Sequence, residues 1–334
     1  MGNSGLKVSR IILGGMSFGS SKWQEWVLDE HEAIPVIDHA YKSGINTWDT
    51  ADVYSFGQSE EIIGKALRQL HIPRERVVIL SKCYFGLKEP GQKFDISSLF
   101  TNDGELVNRV GLSRKHIFDA VEASVKRLGT YIDVLQIHRL DRATPREEIM
   151  RALNDVIDKG WVRYIGASSM AAWEFQQLQN IADKHGWHKF ISMQNYYNLI
   201  YREEEREMIP YCQNAGIGLV PWSPMAGGVL ARPWTERNTK REETDKLVKD
   251  LSRDRSLKSD EDIVNRVEEL ANQKKVSMAE ISIAWHLSKG TNPVLGLSKI
   301  ERIDHAVAAL KVELSEDEIR YLEEPYLPKR VQGY

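Results

Sequence analysis

The stretch SRKHIFDAVEASVKRLGTYIDVLQIH, residues 113–138, predicts an α-helix followed directly by a buried β-strand. Ser113 is a favoured N-cap residue, and Gly129 is a favoured helix end. Between them, apolar residues recur at the helical positions 117, 121, 125 and 128. The run 132–138 is nearly continuous in apolar residues, as are parallel strands that are covered on both faces.

The same alternation continues in both directions along the chain. Residues 144–160 predict a second helix, with Pro145 at its first position, where the missing N–H donor costs nothing. Eight short runs rich in Val and Ile are predicted strands: 10–13, 45–49, 77–82, 132–138, 162–167, 190–194, 217–221 and 293–297. Eight strands alternating with helices predict an α/β fold, a (β/α)8 TIM barrel with long connecting loops.

An open doubly wound sheet is the alternative architecture. It would typically carry a glycine-rich fingerprint after its first strand, and the run LGGMSFG at 13–19 lacks the GxGxxG spacing. Barrels routinely exceed 250 residues, so we expect residues 1–334 to form a single domain. Two polar segments, 84–112 and 231–262, interrupt the alternation and are expected to be functional loops or partly disordered insertions.

The composition of the chain indicates which kinds of binding partner are not expected. Lys and Arg number 45 against 48 Asp and Glu, and the net charge of −3 gives no general attraction to nucleic acid or anionic lipid. The N-terminus lacks an apolar stretch of signal-peptide length, and no run approaches the roughly 20 apolar residues needed to span a bilayer. Cys83 and Cys212 cannot build a disulfide framework and show no metal-ligand spacing. We therefore expect a cytoplasmic protein without a metal, a membrane or a nucleic-acid partner.

Three successive predicted strands each finish on a titratable residue: Asp49, Lys82 and His138. Tyr54 follows Asp49 in the segment DTADVY, 49–54. The carboxyl ends of barrel strands project side chains into one active-site mouth, so these four residues are candidate catalytic groups. Of their neighbours, Asp52 is interpreted as a turn former, and Arg139 and Asp141 are expected to form a local salt bridge.

These residue types suit proton transfer to a carbonyl oxygen. A tyrosine has a pKa near 10, so it is a poor proton donor unless a nearby cation favours its phenolate. Lys82 is the candidate cation, and a carboxylate such as Asp49 would hold a buried lysine protonated. His138 would orient the carbonyl oxygen or share the proton.

Six short segments resemble the aldo-keto reductases, in order and across nearly the whole chain. They are DTADVY (49–54), SK (81–82), QIH (136–138), GASS (166–169), QNYYN (194–198) and PWSP (221–224). Within that family, LQIHRLD (135–141), RYIGASSM (163–170) and YLEEPY (321–326) resemble the fungal aryl-alcohol dehydrogenase-like branch. The resemblance implies a (β/α)8 barrel that reduces aldehydes and ketones with NADPH. It also implies that Tyr54 donates the proton, that Lys82 and Asp49 tune it, and that His138 orients the substrate.

The resemblance also implies the cofactor-binding residues. Ser168, Ser169 and Gln194 would hold the nicotinamide carboxamide, and Trp222 would stack on the ring. The loop that passes the pyrophosphate would comprise Ser223, Pro224, Met225, Gly227 and Arg232, and the insertion 231–262 would fold over the cofactor as a belt. The last strand leads from Gly296 into a helix, where Ser298, Lys299 and Arg302 would bind the adenosine 2'-phosphate. We therefore expect NADPH to be preferred over NADH.

The substrate is expected to be a small carbonyl compound. Candidate pocket residues are Trp23, Trp26, Tyr84, Phe85 and Arg139, and an aromatic wall would suit aryl or medium-chain aldehydes and ketones. A capped helix begins at Ser315, close to the end of the sequence, which predicts no long C-terminal lid and an open pocket. A cofactor-sensing binding module is the alternative function, since the same barrel serves as a regulatory subunit of ion channels.

Overall fold

The computed structural model describes residues 1–87, 99–236, 244–245 and 257–334, and its centre is an eight-stranded parallel sheet. The strands are β1 (Ile12–Gly14), β2 (Thr47–Asp49), β3 (Val78–Cys83), β4 (Ile132–Ile137), β5 (Val162–Ser168), β6 (Phe190–Gln194), β7 (Gly218–Leu219) and β8 (Val294–Leu295). All eight predicted strands are confirmed, each within two residues at either end.

Hydrogen bonding closes this sheet into a ring. Strands β1 to β7 pair in chain order, and β8 pairs with β1 through Leu13 and Leu295. Strands β7 and β8 are joined by two backbone hydrogen bonds, from Asn292 N to Leu219 O and from Val294 N to Pro221 O, each 2.9 Å long. The predicted (β/α)8 barrel is therefore confirmed, and no doubly wound sheet is formed.

Helices follow the strands and cover the outside of the ring. They are α1 (Glu30–Lys42), α2 (Gln58–Gln69), α3 (Arg114–Leu128), α4 (Arg146–Asp158), α5 (Ala172–His185), α6 (Met208–Ala215), α7 (Lys258–Lys274), α8 (Met278–Ser288), α9 (Ile300–Ala308) and α10 (Glu316–Glu323). Ser113 caps α3 by accepting from His116 N, and Gly129 ends it in the left-handed region at φ 69°. Ser315 caps α10 in a capping box with Glu318.

The predicted start of α4 is wrong by one residue. Pro145 has ψ 133° and is the N-cap, so the first helical residue is Arg146. Proline fixes φ but leaves ψ free, and the chain enters this helix extended. The carbonyl of Pro145 still accepts the first helical hydrogen bond, from Ile149 N at 3.1 Å.

Inside the barrel, β3 and β4 carry apolar side chains further from the mouth and polar side chains at the mouth, which lies at the carboxyl ends of the strands. Successive inward positions along a strand are two residues apart. On β3 they carry Leu80 and then Lys82, and on β4 Val134 and then Gln136. Leu80 and Val134 pack with residues near the N-terminus in one apolar cluster. On these two strands the polar inward-facing residues thus lie near the carboxyl ends.

The two long loops are only partly described. The first is fastened at its base, because Gly86 N donates to Leu99 O at 3.1 Å and Gly111 N donates to Tyr84 O at 2.8 Å. Most of the predicted belt, 231–262, lies outside the described residues. In the part of the chain that is described, no helix is both long enough and apolar enough to cross a membrane.

Candidate active site

Tyr54 is held at the mouth by a tightly wound loop after β2. The three residues that follow it, Ser55, Phe56 and Gly57, all have positive φ, at 49°, 55° and 86°. Left-handed backbone is unfavourable for a serine or a phenylalanine, by about 1 kcal/mol or more each. The Ser55 hydroxyl accepts from Ser20 N at 3.2 Å, which ties the loop to the segment after β1. Contacts from outside the loop therefore fix the position of Tyr54.

Lys82 connects the residues predicted to be catalytic. Its side chain is fully buried, and its Nζ donates to Asp49 Oδ1 at 2.5 Å, to Thr50 O at 2.9 Å and to Tyr54 Oη at 3.2 Å. An ammonium group has three donors, so each of them has an acceptor. The predicted grouping of Asp49, Lys82 and Tyr54 is present in the structure.

Asp49 accepts from two amides that the sequence analysis did not assign to it. Its Oδ2 accepts from Gln136 Nε2 and from Gln194 Nε2, each at 2.8 Å. Gln194 Nε2 also lies 3.0 Å from Gln136 Oε1. Gln136 belongs to the QIH motif but was given no role of its own, although its position in register with Lys82 on the neighbouring strand was a usable signal. Gly166 makes room for it, since a Cβ there would lie 3.1 Å from Gln136 Cγ.

His138 lies across the mouth from Tyr54. The two ring centroids are 5.9 Å apart, edge to face. Its Nδ1 is buried and has no hydrogen-bond partner among the described residues. Burial, and then the charges of Lys82 and Arg139, hold the pKa of His138 well below its usual range. The imidazole is therefore neutral at neutral pH, which favours orientation of a substrate oxygen over sharing of a proton.

Burial and the neighbouring charges also determine the protonation of the other groups. Burial raises the pKa of Tyr54, while Lys82 opposes that change. Burial acts to lower the pKa of Lys82, but Asp49 and then Tyr54 raise it, and the net direction is upward. At neutral pH the site thus holds a phenol and an ammonium group.

Asp52 is not merely a turn former. It is 2% exposed, and burial, followed by repulsion from Glu60, raises its pKa to about 8. Glu60 itself accepts from Ser81 Oγ at 2.5 Å and from Arg127 Nε at 2.7 Å. A buried carboxyl without a cation of its own keeps its proton, so Asp52 is neutral at neutral pH.

The residues predicted to hold the nicotinamide meet at the ends of β5, β6 and β7. Ser168 Oγ donates to Gln194 O at 2.8 Å, and Trp222 Nε1 donates to Ser169 Oγ at 3.1 Å. Trp222 stacks on Tyr196, with ring centroids 4.7 Å apart. The carbonyl oxygen of the Gln194 side chain accepts no hydrogen bond from any described residue, which leaves it available to a carboxamide N–H.

The predicted pyrophosphate and 2'-phosphate segments emerge from neighbouring strands, β7 and β8. Ser223 Oγ accepts from Gly227 N at 3.2 Å, and Arg232 packs over Gly228; Pro224 and Met225 complete this turn. Beyond Gly296, Ser298 Oγ accepts from Arg302 at 3.0 Å. Lys299 is the N-cap of α9, and its side chain does not cap the helix. The first backbone N–H groups of the helix are therefore not satisfied by a side chain of the N-cap, and they lie beside the cations of Lys299 and Arg302.

The five predicted pocket residues surround Tyr54 and His138. The Phe85 ring lies 4.7 Å from the His138 ring and 5.1 Å from Tyr84. Trp23 and Trp26 lie 6.4 Å apart in an apolar cluster that includes Tyr54. The guanidinium carbon of Arg139 is 5.8 Å from the Phe85 ring centroid and 5.9 Å from that of Trp222.

Two expectations about this mouth are wrong. Arg139 does not pair with Asp141, because the Asp141 carboxylate accepts from Leu112 N and from Thr144 Oγ1 instead, at 2.8 and 2.6 Å. The mouth is also less open than expected. Gln332 N donates to Tyr201 Oη at 2.8 Å, and a Cβ on Gly333 would lie 3.2 Å from the Trp222 ring. The C-terminal segment therefore crosses the edge of the nicotinamide site.

Comparison with known proteins agrees with this geometry. Residues 10–326 match the model of the aldo/keto reductase family. The chain belongs to this family. Versiconal hemiacetal acetate reductase of Aspergillus parasiticus is 63% identical to this aldo/keto reductase, over 99% of the chain and 97% of the relative. Two provisionally named aryl-alcohol dehydrogenases, of Schizosaccharomyces pombe and Saccharomyces cerevisiae, are 56% and 53% identical, over at least 99% of the chain and 96% and 97% of their own lengths.

Membership of the family gives the reaction class. The aldo/keto reductase is an oxidoreductase that acts on carbonyl or alcohol groups of small molecules, and its family typically uses NAD(P)H. The predicted resemblance to aryl-alcohol dehydrogenases is confirmed.

Proposed function

We propose that this aldo/keto reductase reduces aldehydes or ketones to alcohols, reversibly, with NADPH as the reductant and Tyr54 as the proton donor. One observation carries the proposal. The buried Lys82 ammonium contacts the Asp49 carboxylate and the Tyr54 hydroxyl at the same time, at 2.5 and 3.2 Å. A phenol that touches a fixed cation can release its proton because the resulting phenolate is stabilised.

The protonation states of Tyr54, Lys82 and His138 support proton donation by Tyr54 during carbonyl reduction. Burial keeps Tyr54 protonated at neutral pH, so the phenol is ready to donate to the carbonyl oxygen. After the proton has left, the ammonium group of Lys82 stabilises the phenolate oxygen of Tyr54 by direct contact. His138, which is neutral, contributes an N–H donor toward the same carbonyl oxygen and fixes its position beside Tyr54.

The site fits a nicotinamide cofactor. The Gln194 side-chain oxygen is available, Ser168 and Ser169 lie beside it, and the Trp222 ring is supported from behind by Tyr196. When bound, NADPH would supply a hydride to the carbonyl carbon, which no side chain can do. The four predicted catalytic residues need only orient the carbonyl and provide the proton.

A preference for NADPH over NADH rests on the start of α9. Lys299 and Arg302 are exposed cations beside uncapped helix amides, and the Ser298 hydroxyl lies with them. A phosphate dianion at this position would gain charge-assisted hydrogen bonds that a ribose hydroxyl cannot make.

Two further proposals concern the chain as a whole. We propose that residues 1–334 act as one catalytic domain, because the closed ring uses strands from Ile12 to Leu295 and the family match spans 10–326. We also propose a cytoplasmic location, which is supported by two buried cysteines that carry free thiols.

The test is an absorbance assay of NADPH oxidation by the purified protein with a panel of aromatic and aliphatic aldehydes and ketones. We expect turnover of several panel members, with aromatic aldehydes among them because the mouth is lined by aromatic rings. Tight binding of NADPH without reduction of any panel member would contradict the proposal and favour the cofactor-sensing module.

A further inference from the structure

Arg139 is a charged residue at the mouth that the proposed chemistry does not use. It follows His138 directly, and its side chain is directed between the Phe85 and Trp222 rings. It makes one hydrogen bond to the described residues, from Nη1 to the backbone carbonyl of His138 at 2.6 Å. A guanidinium has five N–H donors in a planar fork, so most of its donors remain available.

No carboxylate of the described residues balances this charge. Asp141, two residues away, is engaged by Leu112 and Thr144. The groups whose ionised forms would stabilise Arg139 are the phenols of Tyr54 and Tyr84, and burial raises the pKa of both. Burial lowers the pKa of Arg139 to about 10, so the guanidinium is still charged at neutral pH.

A partly buried cation without a counter-ion is unfavourable in a protein interior and is uncommon unless a ligand completes it. Other arginines of the chain are paired with a carboxylate, as is usual. Arg142, on the same loop, makes two hydrogen bonds of 2.8 Å to the carboxylate of Glu174. Arg127 is paired with Glu60. Arg139, which has no counter-ion among the described residues, lies at the mouth through which a substrate must enter.

We propose that Arg139 binds an anionic oxygen group, a carboxylate or a phenolate, on an aromatic carbonyl substrate. This inference rests on the proposed carbonyl reductase function. A carbonyl held by Tyr54 and His138 places the rest of the substrate against Phe85, whose ring centroid is 4.7 Å from that of His138. The guanidinium carbon lies 5.8 Å from the centroid of the same ring, so an aromatic substrate packed on Phe85 brings its ring substituents close to Arg139. An anion there would receive paired N–H donors.

The test compares matched charged and neutral substrates. One arm uses 3- and 4-carboxybenzaldehyde against their methyl esters. The other uses a nitro-substituted hydroxybenzaldehyde that is ionised at the assay pH against its methyl ether. We expect kcat/KM of the wild-type protein to favour the anion at least tenfold in one arm or both, and the arm that responds identifies the anion.

Variants separate recognition from general damage. Arg139→Gln should lower kcat/KM for the preferred anion about ten- to a hundredfold, with the neutral partner changed less than threefold and NADPH affinity retained. Arg139→Lys should restore part of the preference. Arg142→Gln, which removes a charge from the same loop without entering the mouth, should leave the preference intact.

Three results would overturn the inference while leaving the proposed function standing. Neutral carbonyls could be reduced with no preference for the anion. Arg139→Gln could slow charged and neutral substrates equally, which would assign Arg139 to the tuning of Tyr54. The variant could instead weaken NADPH binding alone, which would assign Arg139 to the cofactor. If no carbonyl is reduced by the wild-type protein, the proposed function itself fails.

Discussion

Gln136 and Asp49 are joined by a 2.8 Å hydrogen bond, from Nε2 to Oδ2, inside the barrel mouth. The other oxygen of the same carboxylate accepts from Lys82 at 2.5 Å. Gln136 is therefore linked through Asp49 to the cation that contacts Tyr54. It makes no hydrogen bond to the phenol. Besides Asp49 it bonds to Gln194, whose Nε2 donates to its Oε1 at 3.0 Å, so its effect on the reaction must be to position these two side chains.

Replacement of Gln136 by Leu keeps the volume and removes this donor. Hydrogen bonds to charged groups contribute about 1.5 to 3 kcal/mol, so we expect kcat to fall about ten- to a hundredfold. The measurement is kcat as a function of pH, together with the dissociation constant of NADPH. Val134→Ala, two residues along the same strand and also inside the barrel, is the control that should lower stability and keep kcat. An unchanged kcat in Gln136→Leu would refute the link.

The buried pair of Asp49 and Lys82 makes a prediction about stability. Lys82→Met leaves a carboxylate that is 2% exposed without its cation, and we expect the free energy of unfolding to fall by about 3 to 5 kcal/mol. The double variant Asp49→Asn with Lys82→Met removes the stranded charge and should recover a substantial part of the loss, while both proteins stay inactive. Urea titrations of the three proteins provide the comparison. A double variant less stable than the single one would contradict the argument.

Glu204 predicts how stability depends on pH. Burial raises its pKa from 4.5 to about 7, so the folded protein binds a proton that the unfolded chain has already released over this range. Stability from this group is present below pH 4.5 and is lost as pH rises to about 7. Glu204→Gln stays neutral throughout, so its stability relative to the wild type should increase by about 3 kcal/mol between pH 4.5 and 8. Urea unfolding at four pH values measures the difference.

The control for this experiment is the exposed residue Glu313. Glu313→Gln is a substitution at the surface, and it should change the free energy of unfolding by no more than about 0.5 kcal/mol. If the Glu204→Gln difference does not vary with pH, then Glu204 is ionised in the folded protein and the account of its burial is wrong.

The cofactor preference is tested at the start of α9. Lys299→Ala combined with Arg302→Ala should weaken NADPH binding by about 1 to 3 kcal/mol and leave NADH binding nearly unchanged, because only NADPH carries the 2'-phosphate. Lys311→Ala, an exposed lysine beyond the end of the same helix, should affect neither cofactor. Fluorescence titrations give the four affinities. Equal weakening of both cofactors would remove the 2'-phosphate assignment.

The sequence predicted those features that depend on residues close together in the chain. Apolar runs predicted all eight strands, and the titratable residues at the ends of three of them predicted that Asp49, Lys82 and His138 lie near one another at the mouth. What it missed depends on contacts between distant residues. Gln136 meets Asp49 only because β2 and β4 lie on either side of β3 and both side chains enter the barrel mouth. Asp52 is not the expected turn former because it is buried, and because Glu60, on another element, further raises its pKa by repulsion.

Local competition explains the error at Arg139. Adjacent opposite charges suggest a salt bridge, but Asp141 lies in a turn whose own donors, Ala143 N and Thr144 Oγ1, reach it first. The C-terminal segment was likewise unpredictable, since its contacts to Tyr201 and Trp222 join residues more than a hundred positions apart.

The most direct test of the central claim is the Tyr54→Phe variant, measured for kcat with an accepted aldehyde and for NADPH affinity. Phenylalanine keeps the ring that lies 5.9 Å from His138 and removes only the hydroxyl that Lys82 contacts. We predict that kcat falls by at least about a thousandfold, or 4 kcal/mol, with NADPH affinity changed less than about threefold. Retention of more than about a tenth of the wild-type kcat would show that another group donates the proton.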